Sequence, residues 1–496
     1  MDSRRHHDII VVGGGISGLT AALRLHRAGR DVLLFEKEAR VGGCMTTKRE
    51  RGYVLEQGPF NVIVRDRAFH ELIQSLQERV PMVLPDDPKQ PRYVFRKGKV
   101  REVPSGPGAL ATSSLLSFSG RMRLIRGMLF SAPATCSEPT IHEAAARRIG
   151  EEAADTLVSA LVSGIYAGDS GKLSLKAVFK PAWELDQSAR SPILAAMKAL
   201  KGKKKAAAQQ SGDDWNKEKP RGLISFEGGL GAFGEAMGNE LEGDGRLRCG
   251  VVTESIRFDE SACVHELTVQ NEAGERETIT CDRLVLAVNK PAASQLLRAL
   301  VPSASEILNG MVSESIVILN LGYANEQLTQ PIHGYGFLVP RNEPLCPLLG
   351  TLYAGSVFPT SSPDGRTLLR VFMGGARDRD AVNLADEELL KTATSALEEY
   401  LGVKGEPDLV NVRRYRDAIP QMYAGHEGLI ERLERETARL PGLFLAGNYL
   451  RGVSINDCVR VGTETAEGIL ADGNAETPRN QSIVAAGRGG AKVGAS

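Results

Sequence analysis

A glycine-rich turn between two apolar segments constrains the fold of this chain more than any other feature. The segments cover residues 8–12 and 31–35, and an apolar run with helical spacing separates them. Glu36 follows the second segment, where an acid can hydrogen-bond a ribose hydroxyl. The turn places a helix N-terminus against a pyrophosphate, so the sequence predicts a site for an ADP-containing cofactor. The residues of the turn are Gly13, Gly14, Gly15, Ile16, Ser17 and Gly18.

Two further segments indicate that this cofactor is FAD. A glycine doublet at 42–43 predicts another close backbone approach, for which a nicotinamide dehydrogenase has no evident use. Near the other end, an apolar strand ends in glycine and a second amphipathic run opens at 453–455. Its N-terminus would face the pyrimidine end of a flavin and stabilise the anionic reduced form. The residues assigned to this part of the site are Lys37, Gly42, Gly43, Cys44, Gly447, Val453, Ser454 and Ile455.

Composition excludes several other classes of protein. Lys plus Arg and Asp plus Glu number 61 each, so no basic field points to nucleic acid. The seven cysteines are scattered without a CxxC pair, which argues for a reducing compartment and against a disulfide framework or zinc site. Cys458 lies near the predicted flavin helix, but we expect a structural thiol there and FAD held without a covalent bond. No histidine spacing predicts a metal site, and no residue stands out as a catalytic base.

The predicted elements divide the chain into interleaved parts. We expect an α/β fold (α+β overall) whose Rossmann-like FAD-binding domain combines residues 1–85, 223–290 and 410–471. A mixed-sheet substrate-binding domain is expected from residues 86–105 and 291–409. The remaining parts are a helical domain, membrane-associated or packed on the protein, at 106–222 and a disordered tail at 472–496. Individual helices are predicted at 141–160, 193–200 and 386–401, and a polar loop at 201–219.

Five motifs resemble the protoporphyrinogen oxidase family, the oxygen-dependent, FAD-containing branch of the flavin amine oxidase superfamily. The segments Gly-Tyr-Gly-Phe-Leu-Val-Pro and Asn-Asp-Cys are narrow in distribution, and the resemblance runs in matching order from about residue 8 to 470. It implies oxidation of protoporphyrinogen IX to protoporphyrin IX by O2, with release of H2O2, in haem synthesis. The motifs lie at residues 164–169, 334–340, 350–352, 372–377 and 447–458.

The resemblance also implies which residues meet the substrate. Arg92 matches the family position that pairs with a propionate, because a guanidinium can hold a carboxylate with two parallel hydrogen bonds. Leu338, Leu352 and Phe372 match positions that enclose pyrrole rings, and Gly164 matches a position that lines the same cavity. Without the family, Arg92 would be interpreted as a solvated strand-edge arginine and the three apolar residues as ordinary core.

Two segments of the expected flavin pocket depart from the family pattern. Relatives carry a small or polar residue where this chain has Phe60, and they often have Gly-Val-Gly-Leu at 452–455. Both departures bear on the flavin contacts more than on the reaction. The residues placed beside the isoalloxazine are Gly58, Pro59, Phe60 and Asn61, and Val252 is placed beside the adenine.

Other functions stay open at this point. Coproporphyrinogen III would call for more cations around its four carboxylates than Arg92 alone. Another enzyme of the amine-oxidase type is a further alternative, although an aromatic cage is not evident, since Trp183 and Trp215 lie outside the flavin segments. A catalytically silent flavin-binding scaffold is the third, and complete cofactor motifs at both ends argue against it.

We expect a cytoplasmic protein, because the sequence shows no cleavable signal and no apolar stretch of spanning length. Residues 110–130 combine apolar side chains with three arginines. They predict either a face that rests on anionic lipid at the cytoplasmic side of the membrane or a hairpin packed on the protein. The expected partners are protoporphyrinogen IX and O2 and exclude nucleic acid, and a homodimer is compatible with the sequence.

Overall fold

The computed structural model describes residues 5–104, 106, 109, 113–130, 134, 136–188, 218–344 and 346–472. The predicted helix at 193–200, the tail beyond 472 and all but the last two residues of the predicted polar loop lie outside these ranges. The described residues form a mixed α/β structure, which confirms the predicted fold class.

The strands of the described residues belong to two large sheets and two small ones. We number them β1 to β19 in chain order: Arg5–Val12, Val32–Phe35, Thr47–Glu50, Tyr53–Glu56, Val62–Ile63, Met82–Val83, Arg92–Arg96, Lys99–Glu102, Leu223–Phe226, Leu247–Arg248, Val252–Asp259, Val264–Gln270, Arg276–Leu286, Ser313–Ala324, Gly336–Leu338, Gly350–Tyr353, Arg366–Gly374, Leu409–Pro420 and Leu443–Leu445. The small sheets are β3-β4 and β5-β9-β6.

The first large sheet, which we call the cofactor sheet, has the order β10-β2-β1-β13-β12-β11, and β19 pairs with β13. Strands β10, β2, β1, β13 and β19 are parallel neighbours, whereas β11 and β12 are antiparallel. Helix Ile16–Arg27 connects β1 to β2. All four residues of β2 are buried, as expected for a parallel strand covered on both faces. The glycine motif therefore lies in the βαβ unit that the sequence predicts.

The second large sheet, the substrate sheet, has the order β18-β14-β17-β16-β15-β7-β8. One of its faces packs on helix Asp386–Leu401, where Leu319, Phe337 and Val371 share a core with Leu389. Because side chains alternate along a strand, residues next to these positions point to the opposite face. That opposite face is turned toward the segments that connect the strands of the cofactor sheet.

Strand β18 differs from the predicted division of the chain. The expected boundary at 409/410 would assign most of Leu409–Pro420 to the FAD-binding part, but this strand pairs with β14 over nearly its whole length. The side-chain pattern of a strand shows that it is half-buried and not which sheet it joins. The structure therefore moves the end of the substrate sheet to Pro420.

Helices fill the connections between the strands. A buried ion pair between Arg148 and Asp186, with Nε and Oδ1 2.6 Å apart, joins helix Ile141–Ile149 to helix Lys180–Ser188. The predicted helical run at 141–160 is divided by a short helix and a π-helical turn, Ala154–Val158. The longer α-helices are Ile16–Arg27, Arg67–Leu76, Phe118–Leu129, Ile141–Ile149, Ser159–Tyr166, Lys180–Ser188, Leu230–Gly243, Lys290–Leu297, Pro302–Gly310, Asp386–Leu401, His426–Thr437 and Ile455–Asp472. Among the described residues, none of these helices has the length and apolar character needed to cross a membrane.

Candidate cofactor and substrate site

The turn after β1 has the conformation that its glycines permit. Gly13 has a φ of +109°, and a Cβ there would lie 2.5 Å from the carbonyl oxygen of Ala287. A Cβ on Gly18 would overlap the carbonyl oxygen of Gly13. Both positions therefore need glycine for helix Ile16–Arg27 to pack this closely on the sheet. Ile16 and Ser17 form the first turn of that helix.

The N-terminus of this helix faces a groove lined by backbone. No side chain caps it at Gly15, and a Cβ on Gly15 would meet no atom within 4 Å. Gly42 forms a bridge with Gly15, and the next residue, Gly43, is exposed beside it. Uncapped N–H groups and the partial positive charge of a helix N-terminus attract phosphate. The groove therefore fits the pyrophosphate of a dinucleotide.

The carboxylate of Glu36 is held at the end of β2. The backbone N–H of Gly14 donates to Oε2 at 2.6 Å, and that of Glu38 donates to Oε1 at 2.9 Å. Val252 lies close by, because its neighbour Val251 donates to the carbonyl oxygen of Glu36, and its side chain is 45% exposed. The structure thus brings together the residues predicted for the ribose and the adenine. The ammonium of Lys37, in contrast, is exposed and pairs with Glu38.

The far end of the chain reaches the same groove. Gly447 follows the end of β19 by one residue, Ala446. The backbone N–H of Ala446 donates to the carbonyl oxygen of Leu286 on the cofactor sheet. At the start of helix Ile455–Asp472, the Asn456 amide donates to the carbonyl oxygen of Ile63 and accepts from the N–H of Arg65, each at 2.9 Å. The predicted residues Val453, Ser454 and Ile455 therefore precede a contact with residues 63–65, which follow the 58–61 segment by one residue.

An acid modifies this second helix N-terminus. The hydroxyl of Ser454 donates to Oδ2 of Asp457 at 2.6 Å, and the Ser454 N–H donates to the same oxygen at 3.2 Å. A carboxylate in the first turn offsets part of the positive potential that the sequence leads us to expect there. The N-terminus of Ile16–Arg27 carries no acid in its own first turn.

The two cysteines near the groove have different environments. Burial raises the pKa of the Cys458 thiol to about 12, and this thiol is hydrogen-bonded to Ser17. It is therefore protonated at neutral pH and acts as a contact between the two helices. Cys44 is exposed beside the glycine doublet, and a Cβ on Gly58 would overlap its carbonyl oxygen. The doublet and the 58–61 segment are thus immediate neighbours.

Phe60 packs into the protein interior. Its ring is 7% exposed and lies 5.4 Å from the ring of Phe358, between centroids. The adjacent Asn61 side chain instead donates to the hydroxyl of Tyr335 at 2.8 Å, which links the segment to the substrate sheet. Gly58 and Pro59 are half-buried at the start of this link. The phenylalanine at this position therefore adds an aromatic ring to the core beside Phe358.

The register of the substrate sheet brings the predicted substrate residues onto one face. Arg92 of β7 lies opposite Gly336 of β15, which in turn lies opposite Leu352 of β16. Two residues further along, Leu338 of β15 lies opposite Gly350 of β16, which in turn lies opposite Phe372 of β17. Residues in register across a sheet share a face, and so do residues two apart on a strand. A Cβ on Gly164 would lie 2.5 Å from Cδ2 of Leu338, so helix Ser159–Tyr166 covers part of this face.

Arg92 is available for an anionic ligand. Its side chain is exposed, and its guanidinium carbon lies 5.6 Å from the ring centroid of Tyr335. Within the part of the chain that the structure describes, no carboxylate forms an ion pair with it. A cation over an aromatic ring at the rim of an apolar face can bind a carboxylate without breaking an existing salt bridge.

Comparison with known proteins identifies the family. The family model described as flavin containing amine oxidoreductase matches residues 16–470. The chain belongs to this family. It is therefore an oxidoreductase that uses FAD, and the predicted cofactor is confirmed.

Relatives match along nearly the whole chain. The chloroplast protoporphyrinogen oxidase 1 of Arabidopsis thaliana is 30% identical over 92% of this chain and 87% of its own length. The coproporphyrinogen III oxidase of Bacillus subtilis (strain 168) is 28% identical, over 93% and 97% respectively. A crystal structure of a protein assigned as a protoporphyrinogen oxidase, from Exiguobacterium sp. 255-15, superposes with a TM-score of 0.77 at 24% identity. It covers 95% of this chain and 100% of the other, and it supports the fold.

The architecture of this flavoenzyme gives each part of the groove a candidate role. The glycine turn and the doublet at 42–43 would hold the pyrophosphate, Glu36 the ribose, and residues 58–61 with 453–455 the flavin ring. Bound FAD supplies the hydride acceptor. The protein would place that acceptor between the cofactor sheet and the face that carries Arg92, Leu352 and Phe372.

Sequence analysis missed two buried charged residues between the sheets. Arg370 lies on the substrate face of β17 with no exposed surface, and Glu56 ends β4. Burial raises the pKa of Glu56 to about 7, while its carboxylate accepts from the N–H of Leu230 at 2.7 Å and from Thr47 at 2.8 Å. The available signal for Arg370 was a single charge in the otherwise apolar run 368–372.

A cluster with metal-ligand spacing lies in the helical region. It combines His142, Glu151 and Asp155. Nε2 of His142 is 2.9 Å from Asp155 and 3.5 Å from Glu151, and Arg341 lies 3.7 Å from Asp155. These side chains thus contact one another and Arg341 in one polar network.

Proposed function

We propose that this flavoenzyme oxidises protoporphyrinogen IX to protoporphyrin IX with O2 as the electron acceptor, releasing H2O2. One observation carries the proposal: an exposed arginine free of ion pairs in the described structure lies beside an apolar sheet face that meets the FAD groove. The names of the plant relatives support the same substrate.

The chemistry of the substrate matches this face. A porphyrinogen is apolar at its macrocycle and anionic at its propionates, so a site for it needs apolar walls and few cations. Leu338, Leu352 and Phe372 supply the walls, and the ring of Phe372 can stack on a pyrrole. Arg92 would fix one propionate with paired hydrogen bonds and thereby orient a methylene bridge toward the flavin.

The protein's own residues contribute the position and orientation of the substrate in this reaction. In each round a methylene bridge loses a hydride and a pyrrole nitrogen loses a proton, and O2 takes up both electrons and two protons to give H2O2. Repeated rounds conjugate the macrocycle. We assign no side chain as the base, because the pyrrole proton can leave to solvent at the exposed rim beside Arg92.

Coproporphyrinogen III is a second candidate substrate, and one observation favours it. Ile318 of β14 lies opposite both Phe372 of β17 and Arg413 of β18, so Arg413 shares the substrate face. Its side chain is exposed, and it is hydrogen-bonded to Tyr415. A second exposed cation on this face could receive one of the additional propionates, as the Bacillus subtilis relative's name suggests.

Steady-state oxidation of both porphyrinogens in air, followed by porphyrin fluorescence, tests the proposal. We expect a higher kcat/KM for protoporphyrinogen IX and a loss for both substrates in Arg92→Ala. A preference for coproporphyrinogen III, with a larger loss for that substrate in Arg413→Ala, would replace the first candidate with the second. If the protein with bound FAD oxidises neither porphyrinogen, both candidate functions are refuted.

We also propose that helix Phe118–Leu129 rests on a lipid surface. Phe118 and Phe130 are 73% and 76% exposed, and Met122 and Leu129 are exposed near them. Arginines at 121, 123 and 126 suit anionic headgroups. We expect flotation with phosphatidylglycerol vesicles and its loss in the double variant Phe118→Ser, Phe130→Ser. The control Leu84→Ser removes an apolar side chain that is 52% exposed and lies outside this patch, and equal flotation of all proteins would contradict the proposal.

A further inference from the structure

Arg370 has an unusual position for a charged residue. It is fully buried in the middle of β17, on the face that carries Leu352 and Phe372. Its Nε donates to Oδ1 of Asn320 at 3.0 Å, and Nη2 donates to the carbonyl oxygens of Glu56 and Gly58 at 2.9 and 2.8 Å. The guanidinium thus joins the substrate sheet to the start of the 58–61 segment.

Two aromatic rings enclose the same guanidinium. Its central carbon lies 5.3 Å from the ring centroid of Phe60 and 5.5 Å from that of Phe372. Phe60 belongs to the segment predicted to border the flavin, and Phe372 belongs to the predicted substrate wall. A cation attracted to both rings links the two segments that carry them.

Stability alone does not account for this arrangement. Burial lowers the pKa of Arg370 to about 10, so it is still charged at neutral pH, yet its hydrogen-bond acceptors are neutral. Its Nη1 is buried and has no hydrogen-bond partner among the described residues. A buried charge that lacks a hydrogen-bonded carboxylate is costly, and an apolar side chain of similar volume would be cheaper. The arrangement therefore points to a role in the site.

We propose that Arg370 is a positioning residue for the oxidation. Its hydrogen bonds to the carbonyl oxygens of Glu56 and Gly58, together with its contacts to Phe60 and Phe372, set the flavin-bordering segment at a fixed distance from the substrate wall. The inference rests on the FAD site and on the proposed function. It predicts that Arg370 affects how the flavin is held and how fast it is reduced, more than how tightly the substrate binds.

The first test measures FAD binding and does not depend on the substrate. Apo-protein of the parent, Arg370→Lys and Arg370→Met is titrated with FAD, and flavin fluorescence and the visible spectrum are recorded. We expect FAD to bind about tenfold more weakly in Arg370→Met, with a shifted flavin spectrum, and Lys to recover part of the loss because it keeps the charge and a donor nitrogen. The control is Arg366→Met, which removes an exposed arginine from the same strand.

The second test separates positioning from folding. With substrate at saturation, we expect flavin reduction in Arg370→Lys to slow about tenfold while KM changes less than threefold. Parent-like FAD affinity, spectrum and reduction rate in a folded Arg370→Met would overturn the proposal, even if its melting temperature falls.

If Arg370→Met does not fold, the flavin spectrum of Phe60→Leu is measured instead, because this variant removes one ring and leaves the guanidinium. An unchanged flavin spectrum in Phe60→Leu would then refute the proposal. If the parent oxidises neither porphyrinogen, the proposed function fails while the FAD titration still tests Arg370.

Discussion

The FAD groove and the substrate face are built from different materials. The groove is made of backbone. It comprises the uncapped helix N-terminus at Gly15, the glycine doublet at 42–43, and Gly18, where an added Cβ would overlap the carbonyl oxygen of Gly13. The substrate face is made of side chains that register brings together from β7, β15, β16 and β17. Backbone geometry tolerates almost no substitution, whereas a side-chain surface can be changed one residue at a time. We therefore expect changes in the groove to abolish cofactor binding and changes on the face to tune the substrate.

The largest effect should come from Gly18→Ala. The added Cβ would overlap the carbonyl oxygen of Gly13, which forces the helix away from the sheet. We expect FAD affinity to fall by at least about 100-fold, measured by titration of the apo-protein. The matched control is Gly468→Ala, where no atom lies within 4 Å of the new Cβ. Equal FAD affinity in both variants would remove the distinction between groove and face.

The second prediction concerns pH and Glu56, which lies between the two regions. Its pKa is raised by burial from 4.5 to about 7, so the folded protein binds more protons than the unfolded chain between these values. The free energy of unfolding should therefore fall as pH rises from 4.5 to 7 and then level off, by about 3 kcal/mol from this group. Denaturant unfolding at pH 5 and pH 8 measures this change. The drop should shrink in Glu56→Gln, and an identical drop in both proteins would contradict the assignment.

Arg92→Ala should have the third-largest effect, on the substrate alone. Loss of a charged hydrogen-bonded partner for a propionate should raise KM by about 10- to 100-fold. Anaerobic flavin reduction at saturating substrate should change little, because the groove is intact. The KM of Arg92→Lys should lie between those of the parent and Arg92→Ala, since lysine keeps the charge and loses the paired hydrogen-bond geometry. Equal substrate binding by Arg92→Ala and the parent would remove Arg92 from the site.

The smallest predicted effect is that of Phe372→Leu. It replaces a stacking ring by an aliphatic side chain of similar polarity, which should raise KM about 2- to 10-fold. Phe358→Leu is the control, because that ring packs on Phe60 inside the core. The control should lower the melting temperature without changing KM. A raised KM in Phe358→Leu together with an unchanged KM in Phe372→Leu would place the substrate on another face.

The same contrast explains what could be predicted from the sequence. The βαβ unit and helix Asp386–Leu401 follow from local patterns of glycine, apolar periodicity and charge. Arg92 and Phe372 were found by resemblance, since their shared face depends on strands that are distant in sequence. Arg370 and Glu56 escaped because burial of a charge is decided by tertiary packing, and β18 was assigned to the wrong side of a boundary for the same reason.

The most direct test of the central claim is anaerobic reduction of the bound flavin by protoporphyrinogen IX. We predict stoichiometric FAD whose absorbance bleaches on mixing, and recovery of that absorbance when air is admitted, accompanied by porphyrin fluorescence and H2O2. We also predict that Gly18→Ala shows no flavin to bleach, whereas Arg92→Ala bleaches only at higher substrate concentration. A fully loaded flavin that protoporphyrinogen IX does not reduce would contradict the claim that the groove and the substrate face form one active site for it.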